Sequence, residues 1–314
     1  MIDLNSLGLI GYVLVTGLRS TVLKGLQIHG SANPIGGENP ISFCNVFLVS
    51  QLMIGLALIA AEPRQTWIQM GFLGRRQRIH LTADAFFGCF LAPMAFFLAL
   101  DKLTVITQTL LFALTLPASA ILARLWLKEQ LPDRFWWSLG LITAGLLVGR
   151  LLRPMAMASP EMMDQLIGVL WALVAVGATA LRNCVRRTMA GDNLCRGLSA
   201  GVPNLAGALV FAVIALQQYG PQHFFYLQLW WVVGVIVVYG LTLCLGAEIL
   251  RQFSQRHYTV GQLGLASSSS LVVTVLTAAL LLSEPFHPAT LASLVLILCG
   301  VSLRFLWPKR PVSA

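Results

Sequence analysis

Ten apolar stretches, each near 20 residues and each closed by Gly, Pro or a cluster of charge, constrain this chain most. They fall at roughly 5–25, 41–61, 81–100, 103–123, 135–152, 165–182, 199–217, 228–249, 259–282 and 288–307. A helix needs about 20 mainly apolar residues to cross the hydrocarbon core. In lipid every backbone polar group must be satisfied within the segment, so such runs are helices. The third and fourth stretches are joined only by Asp101-Lys102, which predicts a tight helical hairpin. Composition removes the soluble alternative. The chain is 57% hydrophobic and 11% charged, with mean hydropathy +0.79, where a soluble domain carries about 25% charged residues. No cleavable signal is expected, because Met1–Ser6 has no basic n-region and the first apolar run is too long.

Cytoplasmic loops retain Lys and Arg, so the basic residues set the orientation. With the N-terminus inside, the inner regions hold Arg64, Arg75, Arg76 and Arg78, then Arg124, Lys128 and Arg134, then Arg182, Arg186, Arg187 and Arg196. Arg251 and Arg256 follow, and finally Arg304, Lys309 and Arg310. Arg19, Lys24, Lys102, Arg150 and Arg153 are left for the outer side. Both termini are therefore expected in the cytoplasm. The net charge of +9 is spread over every inner loop rather than gathered in one groove, which argues against nucleic acid as a partner. Trp67–Arg78 reads either as a helix on the inner membrane surface or as a plain connecting loop. The six cysteines show no CxxC spacing and read as small buried hydrophobes, with no metal and no cofactor expected.

A duplication underlies this pattern. Thr104-Val105, Glu129 and Gly145 recur as Thr259-Val260, Glu284 and Gly300 at one offset of 155 residues, and Ser138 recurs as Ser293. Gly17–Lys24 (GLRSTVLK) likewise resembles Ala180–Arg187 (ALRNCVRR). Ten spans divide five and five, and an odd number per repeat makes the second copy enter from the opposite face. Charge agrees: Arg124, Lys128 and Arg134 surround Glu129, whereas Ser283–Ala289 around Glu284 has no Lys or Arg. The expected architecture is all-α and integral to the membrane, ten transmembrane helices as two inverted five-helix repeats, 1–155 and 156–314.

The turn Lys128-Glu129-Gln130 followed by Gly140 and Gly145, and the turn Ser283-Glu284-Pro285 followed by Gly300, resemble the repeat endings of the EamA-type family of the drug/metabolite transporter superfamily. Gly168–Arg187 is similar to that family's second-repeat opening. The chain departs from it after Pro40, where Asn45 and no Arg follows. The resemblance implies that the first, third, fourth, sixth, eighth and ninth spans line a central cavity, that the fifth and tenth buttress each repeat, and that amino acids or related metabolites are exported.

Transporters of inverted repeats bind substrate near the bilayer midplane, where polar side chains are costly and so mark function. Ser267, Ser270, Thr274 and Thr277 share one helix face in the ninth span. Thr104, Gln108, Thr115 and Ser119 form a sparser stripe in the fourth, where Pro117 removes a backbone donor. Either the two stripes face each other across the cavity, or these residues let helices pack and bond across. Arg19 either snorkels to the outer interface or holds an anionic substrate group near the outer mouth, with Lys24 as a second charge. Glu248 reads as an ion pair with Arg251 or as a proton relay, and His257 as a titrating or merely interfacial residue. Glu129 and Glu284 read as turn and helix-cap residues. Gly145 and Gly149 form a packing GxxxG.

The sequence carries no HExxH, GxSxG or phosphate-binding loop, and His80 and Asp84 are not spaced as in glycerolipid acyltransferases. The expectation is a non-enzymatic permease of a bacterial cytoplasmic membrane, moving small neutral or zwitterionic solutes by alternating access. Substrate-binding candidates are Gln108, Thr115, Ser267, Ser270, Thr274 and Arg19, with Glu248 and His257 for coupling. The expected partners are a small-molecule substrate and the lipid bilayer; a homodimer is compatible with the pattern without being required by it. A nucleotide-sugar or phosphate-ester carrier and a non-transporting membrane scaffold are the alternatives.

Overall fold

The computed structural model describes residues 4–128, 130–131, 134–151, 160–189, 191–258 and 260–305, and these are helical with short connections. Glu129, Arg153, Thr259, Lys309 and Arg310, named above, lie outside them. Helix α1 spans Leu4–Ala32, α2 Phe43–Ala61, α3 Pro63–Gly71, α4 Arg75–Asp84, α5 Ala92–Lys102, α6 Val105–Phe112 and α7 Thr115–Leu127. Then come α8 Phe135–Leu151, α9 Pro160–Met189, α10 Val202–Gln218, α11 Trp230–Val238, α12 Gly246–His257, α13 Val260–Leu281 and α14 Pro288–Phe305.

Among the described residues, seven helical runs are long and apolar enough to cross a membrane: Ser6–Ala32, Phe43–Ala61, Arg75–Lys102, Val105–Leu127, Met163–Met189, Gly197–Gln218 and Trp230–Ser254. Three shorter apolar helices, Phe135–Gly149, Ala266–Leu281 and Pro288–Leu303, occupy the other expected positions. Two spans are longer than hydropathy predicts. The first continues through Gln27 to Ala32 and the third begins at Arg75, because a helix does not stop where its side chains turn polar. The predicted hairpin forms: α5 ends at Lys102, and Thr104 caps α6 by accepting from the Thr107 amide at 3.2 Å.

Three π-helical stretches re-aim the side chains that follow them: Ala85–Leu91 before α5, Gly197–Gly201 before α10 and Tyr239–Leu245 before α12. Such turns concentrate at functional sites. Helix α3 keeps Thr66 buried against the 195–197 turn and leaves Trp67, Ile68 and Phe72 exposed, as a helix lying on a membrane surface would.

Several local features recur at the sequence offset. Lys128 (φ 56°) and Ser283 (φ 52°), 155 residues apart, both take the left-handed conformation at a helix C-terminus. Helices α8 and α14 lie along each other through a reciprocal contact: Ser138 Oγ donates to the Gly300 carbonyl and Ser293 Oγ to the Gly145 carbonyl, each at 2.6 Å. A Cβ on Gly145 would stand 2.9 Å from the Ser293 carbonyl, and one on Gly300 would stand 2.9 Å from the Ser138 carbonyl. Only glycine admits so close an approach on both sides. The π-helical stretches Ala85–Leu91 and Tyr239–Leu245 are 154 residues apart. The other long pairings are α2 with α10, α1 with α13, and α9 with α5, α6 and α7.

Candidate functional site

A cavity of about 70 Å³ open to water-sized molecules lies among the first, second, third, sixth, seventh and eighth of the ten apolar stretches in the sequence. Its lining includes Arg19, Ser50, Gln51, Arg182, Asn204 and Glu248. The resemblance led to an expectation of the first, third, fourth, sixth, eighth and ninth. The lining described here takes in the second and seventh stretches, and α13 packs directly on α1. Thr274 Oγ1 donates to the Gly17 carbonyl at 2.8 Å, and Thr21 and Thr277 hydroxyls meet at 2.9 Å.

Arg19 sits near the centre of α1, 13 residues before its end at Ala32, which is about 20 Å at 1.5 Å per residue. The helix continues well past the end that hydropathy predicts. Protein surrounds it, yet its side chain keeps accessible surface, because it borders the cavity. Among the described residues no carboxylate oxygen lies within 4.0 Å of its nitrogens. Tyr239 and Cys244 stand beside it, and the buried Tyr239 hydroxyl has no hydrogen-bond partner among the described residues. Lys24 lies off the cavity lining, and its ammonium donates to the Leu100 carbonyl.

The other charges at the cavity are matched. Arg182 Nε donates to Asp84 Oδ1 at 3.1 Å, and Arg186 Nε to the same oxygen at 3.0 Å, so a fully buried carboxylate is held by two guanidiniums one helical turn apart. The π-helical turn makes room: a Cβ on Gly88 would stand 2.1 Å from Arg182 Nε. Glu248 forms the expected pair with Arg251, at 2.5 and 3.1 Å, and also accepts from Gln252 at 3.0 Å. It nevertheless borders the cavity. Gln51 donates its amide to the Cys89 carbonyl and leaves Oε1 buried without a partner.

The remaining candidates lie elsewhere. Gln108 is fully buried on α6, and neither its Oε1 nor its Nε2 has a partner among the described residues; the Thr115 hydroxyl is buried and likewise unsatisfied. Ser270 Oγ donates to the Ser267 carbonyl at 2.7 Å, within α13. His257 is exposed at the end of α12, its ring nitrogen 2.9 Å from the Phe253 carbonyl. Sequence reasoning passed over Ser50, Gln51 and Asn204, although polar residues inside the apolar runs 41–61 and 199–217 were a usable signal. Asp84 was weighed only for its spacing from His80, although it lies inside the third apolar stretch, 81–100.

A polar cross-brace ties the segment before α2 to the segment after α10. His223, fully buried, places Nε2 2.8 Å from Ser42 Oγ and Nδ1 3.1 Å from Glu38 Oε2. Tyr219 stacks on its ring at 4.2 Å, and Tyr226 donates to the Ile35 carbonyl at 3.1 Å. Burial, with Cys44 and Glu38 nearby, raises the Tyr219 hydroxyl above its ordinary range. Ser42 is also the N-cap of α2, with the Asn45 amide on its Oγ, and stays buried as part of the plug. Elsewhere Arg196 pairs with Glu62 at 3.7 Å, and Gln69 accepts from the Cys195 amide at 2.7 Å.

No family model matches the chain. It is 26% identical over 286 residues to an uncharacterized transporter of Synechocystis sp., covering 88% of this chain and 80% of the relative. It is also similar to a protein of known crystal structure at TM-score 0.52 and 15% identity, covering 94% and 96% of the two chains. That likeness speaks to the fold alone. The apolar helices make this a multi-pass membrane protein, and together with the relative they support a transporter in general.

Proposed function

We propose that the chain is a secondary transporter of small organic metabolites, working by alternating access between two inverted five-helix repeats, 1–155 and 156–314. One observation carries this reading: the cavity draws charged and polar side chains from both segments, Arg19, Ser50 and Gln51 from one and Arg182, Asn204 and Glu248 from the other. A membrane protein tolerates such groups in its interior where they serve a passage. The reciprocal Ser138–Gly300 and Ser293–Gly145 contacts, with the matched left-handed residues Lys128 and Ser283, support the repeat. The exchange of residues across α8 and α14 has the form of a two-fold interface. The brace at His223 closes one end of the passage, and the Glu62–Arg196 region lies at the other.

Gln108 and Thr115, whose unsatisfied polar atoms are buried here, form with Ser267, Ser270 and Thr274 the stripes that the opposite state hydrates. The distribution of basic residues supports cytoplasmic termini, and the resemblance to EamA-type transporters supports a bacterial inner membrane and amino acids or related solutes. The small cavity suits these better than a nucleotide sugar. Screening metabolites for thermal stabilisation of the purified protein, then for counterflow in proteoliposomes, tests the reading. A stabilising solute that exchanges across the bilayer supports it; a folded protein that neither binds nor exchanges any solute favours the scaffold alternative.

A further inference from the structure

We propose that the outward face of α3 and α4 is a binding surface for acidic phospholipid, and that lipid bound there holds α3 against the 193–197 turn. Such a surface requires only that the chain is a membrane protein, whatever the cavity carries. The two faces of this stretch differ sharply. On the inward side Thr66 is buried, and Met70 and Leu73 pack on the apolar cluster of Leu81, Val185 and Leu198. Glu62 accepts from the Arg196 amide at 2.9 Å and Gln69 from the Cys195 amide at 2.7 Å. A Cβ on Gly197 would stand 2.1 Å from Thr66 Oγ1, so α3 sits directly on the turn.

On the outward side Trp67, Ile68, Phe72 and Ile79 are between 57% and 84% exposed. Arg64, Arg75, Arg76 and Arg78 stand exposed among them. None of the four has a carboxylate oxygen within 4.0 Å among the described residues. The membrane run that contains α4 starts at Arg75, so these charges stand at its polar end. A neutral membrane surface takes up the apolar side chains and leaves the guanidiniums unanswered. A soluble acidic segment does the reverse. An acidic phospholipid surface satisfies both, apolar groups in the acyl boundary and arginines at the headgroup phosphates. Topology alone explains basic residues in an inner loop; it does not explain large apolar residues interleaved with them on a face turned away from the protein. Trp67 and Ile68 share one short helix with Thr66 and Gln69, so fixing that helix at the membrane fixes its grip on the turn.

The test uses full-length protein in mixed micelles of detergent with phosphatidylglycerol or with phosphatidylcholine of the same acyl chains. Phosphatidylglycerol should raise the unfolding temperature further than phosphatidylcholine, with the difference shrinking as salt rises. Arg75→Gln/Arg76→Gln should remove most of that difference and weaken phosphatidylglycerol retention in native mass spectrometry by roughly tenfold or more. Its unfolding in phosphatidylcholine should be unchanged, since both side chains are exposed. Arg124→Gln/Lys128→Gln, which removes the same charge from another exposed site, should keep most of the difference. Cys195, buried beneath Thr66 at 3.6 Å, reports on the turn. With Cys195 as the sole cysteine, phosphatidylglycerol should slow its labelling by N-ethylmaleimide several-fold relative to phosphatidylcholine, and Arg75→Gln/Arg76→Gln should erase that protection.

Equal stabilisation of wild type by the two lipids, or equal losses in the two double variants, overturns the acidic-lipid surface. Equal stabilisation by free inorganic phosphate makes it a soluble-anion site and overturns the lipid assignment. Labelling of Cys195 that is the same in both lipids overturns the hold on the turn. Should Arg75→Gln/Arg76→Gln unfold early in both lipids, the lipid preference of wild type and its salt dependence still decide.

Discussion

Asp84 shows what a single residue does in the interior of this protein. Its carboxylate has no exposed surface and is held by Arg182 and Arg186 at 3.1 and 3.0 Å. Removing one member of a buried charge group leaves the rest uncompensated, at a cost of about 3–5 kcal/mol. Asp84→Asn should therefore lower the unfolding temperature in detergent sharply, and the double variant Asp84→Asn/Arg186→Met should recover part of the loss. Unchanged unfolding of Asp84→Asn would remove the ion group from the account of stability. Gly88 beside it is equally constrained. Gly88→Ala places a methyl against Arg182, so it should weaken the same group and reshape the cavity.

At the level of elements, helix ends and helix crossings carry the specificity. Glu284, at the end of α13, accepts from the Val105 and Ile106 amides at 2.6 and 3.0 Å and so caps α6 across the chain. A carboxylate at a helix N-terminus satisfies free donors and complements the dipole. Glu284→Ala should cost about 1 kcal/mol in thermal or denaturant unfolding. The α8–α14 crossing makes a sharper prediction because it is reciprocal. Ser138→Ala and Ser293→Ala should each cost roughly 0.6 kcal/mol, an average for hydrogen bonds between membrane helices. Gly145→Val and Gly300→Val should each cost about 1–3 kcal/mol through overpacking against backbone. Comparable losses within each pair are expected; a large loss in one member and none in the other would argue against a symmetric crossing.

For the molecule as a whole, the brace among Glu38, Ser42 and His223 ties the segment before α2 to the segment after α10. Cys44 lies just past Ser42, fully buried. In a variant with Cys44 as the sole cysteine, His223→Ala should raise labelling of that thiol by a membrane-impermeant maleimide several-fold, with a smaller rise for Glu38→Gln. Labelling that stays at the wild-type level would mean that apolar packing alone keeps that thiol covered.

Much of this was legible along the chain, for reasons specific to each residue. Apolar runs near 20 residues are set by bilayer thickness and therefore read directly as helices. The pairing of Glu248 with Arg251 is a local matter of three residues on one helix and was legible too. The cap function of Glu284 followed from its position in a turn, but the helix it caps did not, since Val105 is 179 residues away in sequence. Hydropathy ended the first span at residue 25, whereas the helix that carries Arg19 runs seven residues farther. Ser138 and Gly145 stood out as a repeated pair; that each touches the other's counterpart required two helices in space.

The sequence by itself determined that this is a membrane protein of many apolar helices with a duplicated ending, because hydropathy, charge placement and repeat spacing are properties of order along a chain. Only the tertiary structure decided which side chains line the cavity described here, and that among the described residues Arg19 has no carboxylate within 4.0 Å while Arg182 and Glu248 are paired. The physical reason is that polar groups in the membrane interior are satisfied by partners on other helices, and helix-to-helix contact is fixed by packing rather than by proximity in sequence.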